Sequence, residues 1–132
     1  MPEHTGREQE ILQSLLTQGE SVGVHIVERR LGGARILEPA HAFATNKRII
    51  IIRRGIFSFH QDFKIINYSN ITEIILEHGI RYSKLHFTLQ GEASNTAEKK
   101  WLVGLEYREA LELVKYVNSM EEKPVQDTRA TT

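Results

Sequence analysis

The chain has 132 residues, no cysteine and a formal net charge of zero. This length suits a single domain with a core of its own, and the lack of cysteine excludes a disulfide scaffold, thiol catalysis and metal sites built on thiolates. The balanced charge argues against a dedicated nucleic-acid binder, since such proteins usually carry a clear positive excess.

A short amphipathic helix is predicted over residues 5 to about 18. Thr5 and Glu8 have the spacing of a capping box at its start, and Gly19 is placed to end it. We expect residues 1–19 to form a helical extension of the domain. Its apolar side chains recur on one face at helical spacing: Ile11, Leu12, Leu15 and Leu16.

From Ser21 the period of the apolar residues changes to two, which predicts a series of short strands. The clearest strand is Ile49 to Ile52, because four β-branched side chains in a row suit a pleated strand better than a helix. We predict about seven strands, in this order: 22–26, 43–45, 49–52, 63–66, 71–77, 82–89 and 99–103.

Residues 106–120 are predicted to form an amphipathic closing helix. Pro124 argues against much extension beyond it, and we expect residues 121–132 to be a disordered tail. The apolar stripe of this helix has five members: Ala110, Leu113, Val114, Val117 and Met120.

The links between the predicted strands are short, which requires antiparallel pairing. A single closing helix suggests a strongly bent sheet whose open end is plugged by that helix. We therefore predict a mainly β (α+β) fold. It consists of a bent antiparallel sheet, or partly open β-barrel, of about seven strands, with one C-terminal helix as its cap and a short N-terminal helix before it.

Three segments, in the expected order, resemble short prokaryotic pleckstrin-homology-like (PH-like) domains, including the YokE-like group. The run Thr45-Asn46-Lys47-Arg48, ahead of the isoleucines, is similar to their signature of a threonine, two polar residues, an arginine and a hydrophobic strand. The segment from Ile66 to Ile74 resembles their tyrosine-containing turn before the fifth strand. Trp101 with the helix from Tyr107 resembles their last strand and closing helix. The resemblance implies a PH-like domain over residues 20–120, of a kind that often binds proteins or copies of itself.

A basic segment provides the first candidate site. Residues 29–54 hold seven cations and one anion. Five of these cations could gather at the open end of the sheet and bind phosphate or anionic lipid: Arg29, Arg30, Arg35, Lys47 and Arg48. The resemblance to lipid-binding PH domains would place a lysine on the first strand, where this chain has His25 and Val27. The alternative is that these cations are solvated charges at strand ends.

Apolar residues without an obvious place in the core provide the second candidate site: Ile11, Leu12, Leu15, Leu16, Phe57 and Phe59. Exposed patches of this kind usually mark protein contacts, although the N-terminal helix could equally pack within its own chain. We predict a non-enzymatic interaction module that binds protein partners or self-associates as a homo-oligomer. Peripheral binding of anionic lipid or phosphate is the alternative.

The remaining polar residues predict neither a metal site nor a catalytic site, and no cofactor, nucleic acid or small-molecule substrate is expected. The six histidines lack the close spacing of zinc ligands. Ser58, His60 and Asp62 are near in sequence but have neither triad geometry nor a glycine elbow around the serine. The polar start does not resemble a secretory signal, and the longest apolar run is far below the ~20 residues that cross a bilayer. We expect a cytoplasmic protein, with association to a membrane surface as the alternative.

Overall fold

The computed structural model describes residues 2–31, 34–35, 39–54, 61–91 and 101–130. Its helices are α1 (Pro2–Leu15) and α2 (Tyr107–Ala130). Its strands, in chain order, are β1 (Val22–Val27), β2 (Arg30–Leu31), β3 (Ala34–Arg35), β4 (Ala40–Thr45), β5 (Arg48–Arg54), β6 (Gln61–Asn67), β7 (Ile71–His78), β8 (Ser83–Leu89) and β9 (Leu102–Leu105). A 3-10 turn, Tyr68–Asn70, connects β6 to β7.

The main strands form two antiparallel sheets. The first sheet has the order β1-β4-β5-β6 and the second has the order β7-β8-β9, while β2 and β3 pair in a small ribbon. Neighbouring strands in the two sheets pair antiparallel, and the β4–β5 connection has only two residues, as antiparallel pairing allows. The main-chain N–H of Arg29, just after β1, donates to the carbonyl of Gly104 in β9 at 2.9 Å, so the sheets meet along that side.

This arrangement confirms the predicted fold class, with seven strands in two sheets, a closing helix and an N-terminal helix. The sheets do not close into a barrel among the described residues, which agrees with the predicted bent and partly open sheet and contradicts only a closed β-barrel. After the 3-10 turn Tyr68–Asn70, the chain enters the second sheet instead of extending the first.

The main core lies between the two sheets and α2. Ile49 of β5 points into this core and is fully buried with Ala42 and Ala44 of β4. Gly23 in β1 lets the Tyr116 ring of α2 lie directly against the strand, because any Cβ at this position would overlap the ring. The closing helix supplies three fully buried residues: Ala110, Leu113 and Val117.

A second apolar cluster covers the outer face of the first sheet. Leu12 of α1 is 1% exposed and packs with Phe43, Ile50 and Ile52. Successive side chains of a strand point to opposite faces, so α1 buries the alternate isoleucines that the main core does not reach. The isoleucine run is thus covered on both faces of the sheet.

Both helices differ from prediction at their ends. α1 begins at Pro2, so Thr5 lies inside the helix and the predicted capping box is wrong. Proline is favourable in a first turn, where its missing N–H would have had no partner. α2 extends to Ala130 with Pro124 inside it, so the predicted helix end at Met120 is wrong and the predicted tail has helical backbone up to Ala130.

We expect Leu12→Ala to lower the free energy of unfolding by about 2–4 kcal/mol, because it opens a cavity in a fully packed cluster. The matched control is Gln13→Ala, an exposed neighbour on the same helix, which should change stability by less than about 0.5 kcal/mol. Urea denaturation of the two variants measures the difference. Equal stabilities would contradict the docking of α1 on the sheet.

Candidate functional site

The threonine-to-arginine signature forms the turn between β4 and β5. Thr45 is fully buried, and its hydroxyl oxygen accepts hydrogen bonds from the main-chain N–H groups of Lys47 and Arg48, both at 3.0 Å. The same hydroxyl donates to Oε2 of Glu20 at 2.6 Å. One side chain therefore shapes the turn and ties it to the segment that precedes β1.

Glu20 and Arg48 form an ion pair beside this turn. The side chain of Glu20 has no solvent exposure, and Arg48 donates to it from Nε to Oε2 at 3.0 Å and from Nη2 to Oε1 at 3.1 Å. Nη2 of Arg48 also donates to the carbonyl of Leu15 at 2.8 Å. Leu15 is the last residue of α1, where a helix leaves carbonyls without internal partners. The pair thus joins the end of α1 to the β4–β5 turn.

Burial and hydrogen bonding act in opposite directions on the pKa of Glu20. Burial raises it, while Arg48, the main-chain N–H of Thr17 and the hydroxyls of Thr45 and Thr17 stabilise the carboxylate and lower it. The hydrogen bonds prevail together, and the pKa of Glu20 falls from 4.5 to about 2. The carboxylate is therefore held in its charged form by the fold itself.

The other signature residues complete this network. Oδ1 of Asn46 accepts from the N–H of Ser21 at 2.9 Å, and its Nδ2 donates to the carbonyl of Gly19 at 3.0 Å. The Tyr68 hydroxyl donates to the main-chain oxygen of Thr45 at 2.5 Å, which brings the tyrosine-containing segment onto the signature turn. We call these linked side chains the anchor network: Glu20, Thr45, Asn46, Arg48 and Tyr68. Its contacts are internal to the chain, so the signature holds the fold together.

The five cations of the predicted anion site do not gather at one place. β1 and β4 run antiparallel, with Val27 opposite His41. The chain that follows β1 therefore lies at the far end of the sheet from the turn that follows β4. The cations divide between these two ends, with Arg29, Arg30 and Arg35 at one and Lys47 and Arg48 at the other.

Several of these cations are also engaged by the chain itself. Nη2 of Arg29 lies 2.6 Å from Oε2 of Glu109 in α2, and this hydrogen bond raises the pKa of Arg29 further. Nζ of Lys47 donates to the carbonyl of Gln18 at 2.9 Å, and Arg48 belongs to the anchor network. The side chains of Arg30 and Arg35 lie outside the described part of the chain.

A second buried carboxylate, Glu28, joins the two sheets. Its side chain has no exposure and accepts from the N–H of Ala40 at 2.9 Å and from the N–H of Val103 at 3.0 Å. Arg53 donates to it from Nη1 at 2.9 Å and from Nη2 at 3.2 Å. The sequence carries no signal for this role, since an acid followed by two arginines looks like ordinary surface charge.

The residues predicted as a protein interface have different places. Leu12 lies in the outer cluster of its own chain, in keeping with the alternative of packing within the chain. Phe57 and Phe59 lie outside the described residues. Three more residues of this set are partly buried against the outer cluster: Ile11, Leu15 and Leu16.

The large apolar side chains that are exposed on the first sheet include two on β6. Phe63 is 45% exposed and Ile65 is 46% exposed, and they lie opposite Ile52 and Ile50 of β5. They continue the outer face that α1 covers over β5. β6 is the last strand of its sheet, so within the described ranges no strand pairs with its second edge. We call Phe63 and Ile65 the β6 patch; sequence periodicity located their strand but not its position at an edge.

A cleft of about 540 Å³ opens between the two sheets beside β6. Its charged lining residues are Arg53, which is already paired with Glu28, and Asp62 and Lys64, which carry opposite charges. The described lining therefore presents little excess charge to a ligand. Its apolar lining includes Ile51, Ile66, Phe87, Trp101 and Leu102.

The histidines whose side chains the structure describes pack mainly against aromatic rings. Nε2 of His25 and Nδ1 of His41 are 3.0 Å apart, and the His25 ring stacks on Phe43 at 4.2 Å. His78 stacks on Tyr107 at 3.9 Å. Within the described ranges, no three side chains of the metal-binding types come together. In these same ranges no helix is both long and apolar enough to cross a bilayer.

Acid should remove the stabilisation that comes from Glu20. Because its folded pKa of about 2 lies below the ordinary 4.5, its contribution is complete above pH 4.5 and is lost as the pH falls towards 2. The gap in unfolding free energy between the wild type and Glu20→Gln should shrink by on the order of 3 kcal/mol over this interval. Urea titrations at several pH values measure this gap.

Other carboxylates titrate in both proteins and cancel from the comparison. Glu10→Gln, at an exposed position of α1, is the matched control, and its difference from the wild type should stay nearly constant. A gap for Glu20→Gln that is independent of pH would contradict the role assigned to this carboxylate.

This chain is similar to a known protein family and to several solved structures. The sequence profile of the bacterial PH domain family matches residues 13–118. A DUF1696 family protein with a pleckstrin-homology domain from Shewanella loihica PV-4 is 17% identical, with a TM-score of 0.58 over 88% of this chain and 95% of that chain. The pleckstrin homology domain from Shewanella amazonensis SB2B is 16% identical, with a TM-score of 0.57 over 88% and 86%. The Vps36 N-terminal PH domain is 16% identical, with a TM-score of 0.54 over 85% and 86%.

The three solved structures named above share the fold of this chain. No curated protein sequence matches the chain. The narrower YokE-like assignment stays a prediction. The family profile covers the stretch from within α1 to within α2, including both sheets and the anchor network. The chain belongs to the bacterial PH domain family.

Proposed function

We propose that this chain is a non-enzymatic interaction module that binds protein through the β6 patch. The partner is a second copy of the chain or another protein. The observation that carries the proposal is the exposure of Phe63 and Ile65 on a face whose neighbouring apolar residues are covered by α1. Neighbouring exposed apolar side chains on a folded domain favour contact with protein.

The position of β6 adds a second reason. An edge strand presents unpaired main-chain N–H and C=O groups, which can pair with a strand of another chain. Natural edges are often protected by inward charges, and Asp62 and Lys64 of β6 lie on the face opposite to the patch. Because these charges have opposite signs, they can be matched by a suitable partner and do not simply repel it.

The two buried carboxylates support a non-catalytic role, because both are hydrogen-bonded to groups of their own chain. Glu20 and Glu28 accept hydrogen bonds from main-chain N–H groups and from arginines. A general acid or base needs a proton-transfer site beside a substrate, whereas these two groups are enclosed by partners of their own chain. They act as structural anchors in this proposal.

Binding of anionic lipid or phosphate is the second candidate function, and Lys47 is the observation in its favour, since it is exposed at the β4–β5 turn. It has less support than protein binding, because Arg29 and Arg48 are paired with carboxylates and lie at opposite ends of the sheet. The charge of Lys47 by itself attracts an anionic surface only weakly in salt.

Sedimentation with phosphatidylcholine vesicles that contain phosphatidylserine tests the lipid candidate. At roughly physiological salt we expect under about a tenth of the protein to sediment, and Lys47→Glu to behave as the wild type does. Strong sedimentation that Lys47→Glu abolishes would favour lipid binding over the function proposed here.

Replacement of the patch, Phe63→Ser together with Ile65→Ser, should weaken self-association at least about tenfold. The reason is that association of the variant no longer buries two apolar side chains. Light scattering after size exclusion, over a range of concentrations, measures the association. The control is Ile80→Ser, which removes a fully exposed apolar side chain between β7 and β8. A wild type that stays monomeric, or equal effects of patch and control, would contradict self-association through this patch.

A further inference from the structure

We infer that the β6 patch is an isologous interface, in which β6 of one copy pairs antiparallel with β6 of a second copy about a two-fold axis at Phe63. This inference rests on the proposed function and names its partner and its register. It is drawn from the order of residues along β6 and from the faces to which they point.

The register follows from charge complementarity. With Phe63 on the axis, Phe63 lies opposite its own counterpart, Asp62 lies opposite Lys64 of the second copy, and Lys64 lies opposite Asp62. Directly opposed residues of an antiparallel pair share a face and interact, favourably for opposite charges and unfavourably for like charges. Each half of the interface thus places opposite charges against the other half, as two-fold symmetry requires of a self-complementary surface.

The two faces of the joined strands would have different characters. On the outer face, the Phe63 side chains of the two copies meet across the axis, with Ile65 of each copy next along the strand, and this contact shields part of the exposed patch from water. On the inner face, two Asp62–Lys64 pairs form across the axis. Asp62 also lies opposite Arg53 of β5 in its own copy, so each aspartate is placed between a cation of its own chain and one of the second chain.

In the other symmetric registers that keep both patch residues on one face, the charges that face each other across the axis are less well matched. An axis at Asp62 or at Lys64 places like charges directly opposite each other. An axis at Ile65 places Lys64 opposite Ile66 and Asp62 opposite Tyr68 of the second copy, so no opposite charges face each other across it. The axis at Phe63 therefore combines apolar contact on one face with matched charges on the other. It joins the two four-stranded sheets into one continuous sheet of eight strands.

Charge reversal tests the pairing of Asp62 with Lys64. Asp62→Lys and Lys64→Asp should each weaken the dimer at least about tenfold, because each opposes like charges twice. An equimolar mixture of these two variants should recover the dimer as a heterodimer, which native mass spectrometry distinguishes by its mass. The doubly exchanged variant, Asp62→Lys with Lys64→Asp, should recover a homodimer. Thermal unfolding of each variant checks that it is folded.

Single cysteines test the position of the axis without altering the charges. The chain has no cysteine of its own, so Phe63→Cys and Ile65→Cys each provide one thiol on the same strand face at nearly equal exposure. At the axis the two thiols of Phe63→Cys come within disulfide range. Those of Ile65→Cys are separated by four residues of strand, or about 13 Å. Under mild oxidation Phe63→Cys should form the disulfide-linked dimer at least about tenfold faster.

The outcomes separate this inference from the proposed function. Recovery of the dimer by the mixture, with preferential cross-linking at position 63, supports the register. Faster cross-linking at position 65, or no recovery in the mixture of folded variants, overturns it, although loss of the dimer on replacing the patch would still support the proposed function. A wild type that is monomeric at every concentration overturns the inference outright and leaves another protein as the partner.

Discussion

A buried carboxylate holds the parts of this domain together. Removing Glu20 from water would cost several kcal/mol if its charge were unpaired, and here Arg48, Thr45 and Thr17 stabilise it with hydrogen bonds. These partners come from the segment after α1 and from the β4–β5 turn, and Arg48 reaches the end of α1 as well. The charge is satisfied only when all of them are in place, so the helix end, the turn and the start of β1 are energetically coupled.

The docking of α1 explains why the first sheet has two apolar faces. One face of β5 packs into the main core, and the other packs under Leu12. A four-residue run of isoleucine would otherwise expose every second side chain, because strand side chains alternate between faces. α1 covers the outer face of β5 but leaves Phe63 and Ile65 of β6 about half exposed. α1 therefore buries the isoleucines of β5, and the apolar surface that stays exposed begins on the adjacent strand, β6.

Several charged and polar side chains of the described residues stabilise the fold of the chain itself. Glu28 joins the two sheets, Arg29 pairs with Glu109, and the anchor network secures the turn that carries the family signature. A shared fold does not by itself assign a function, and the solved structures of similar fold are only 16–17% identical to the chain. The functional proposal therefore depends on a surface that the internal network does not use, the edge strand β6 with its apolar outer face.

Much of the architecture could be predicted from local pattern. Period-two alternation located the strands of both sheets, helical periodicity located both helices, and the run from Thr45 to Arg48 pointed to the family, because these signals arise from neighbouring residues. Which end of the sheet each cation occupies, the pairing of Glu20 with Arg48 and the edge position of β6 were not accessible in this way. They depend on which strands pair and where distant segments meet. Two antiparallel strands send Arg29 and Lys47 to opposite ends of the sheet. In the described part of the chain, β6 is an edge strand, because the chain turns at Tyr68 into a second sheet.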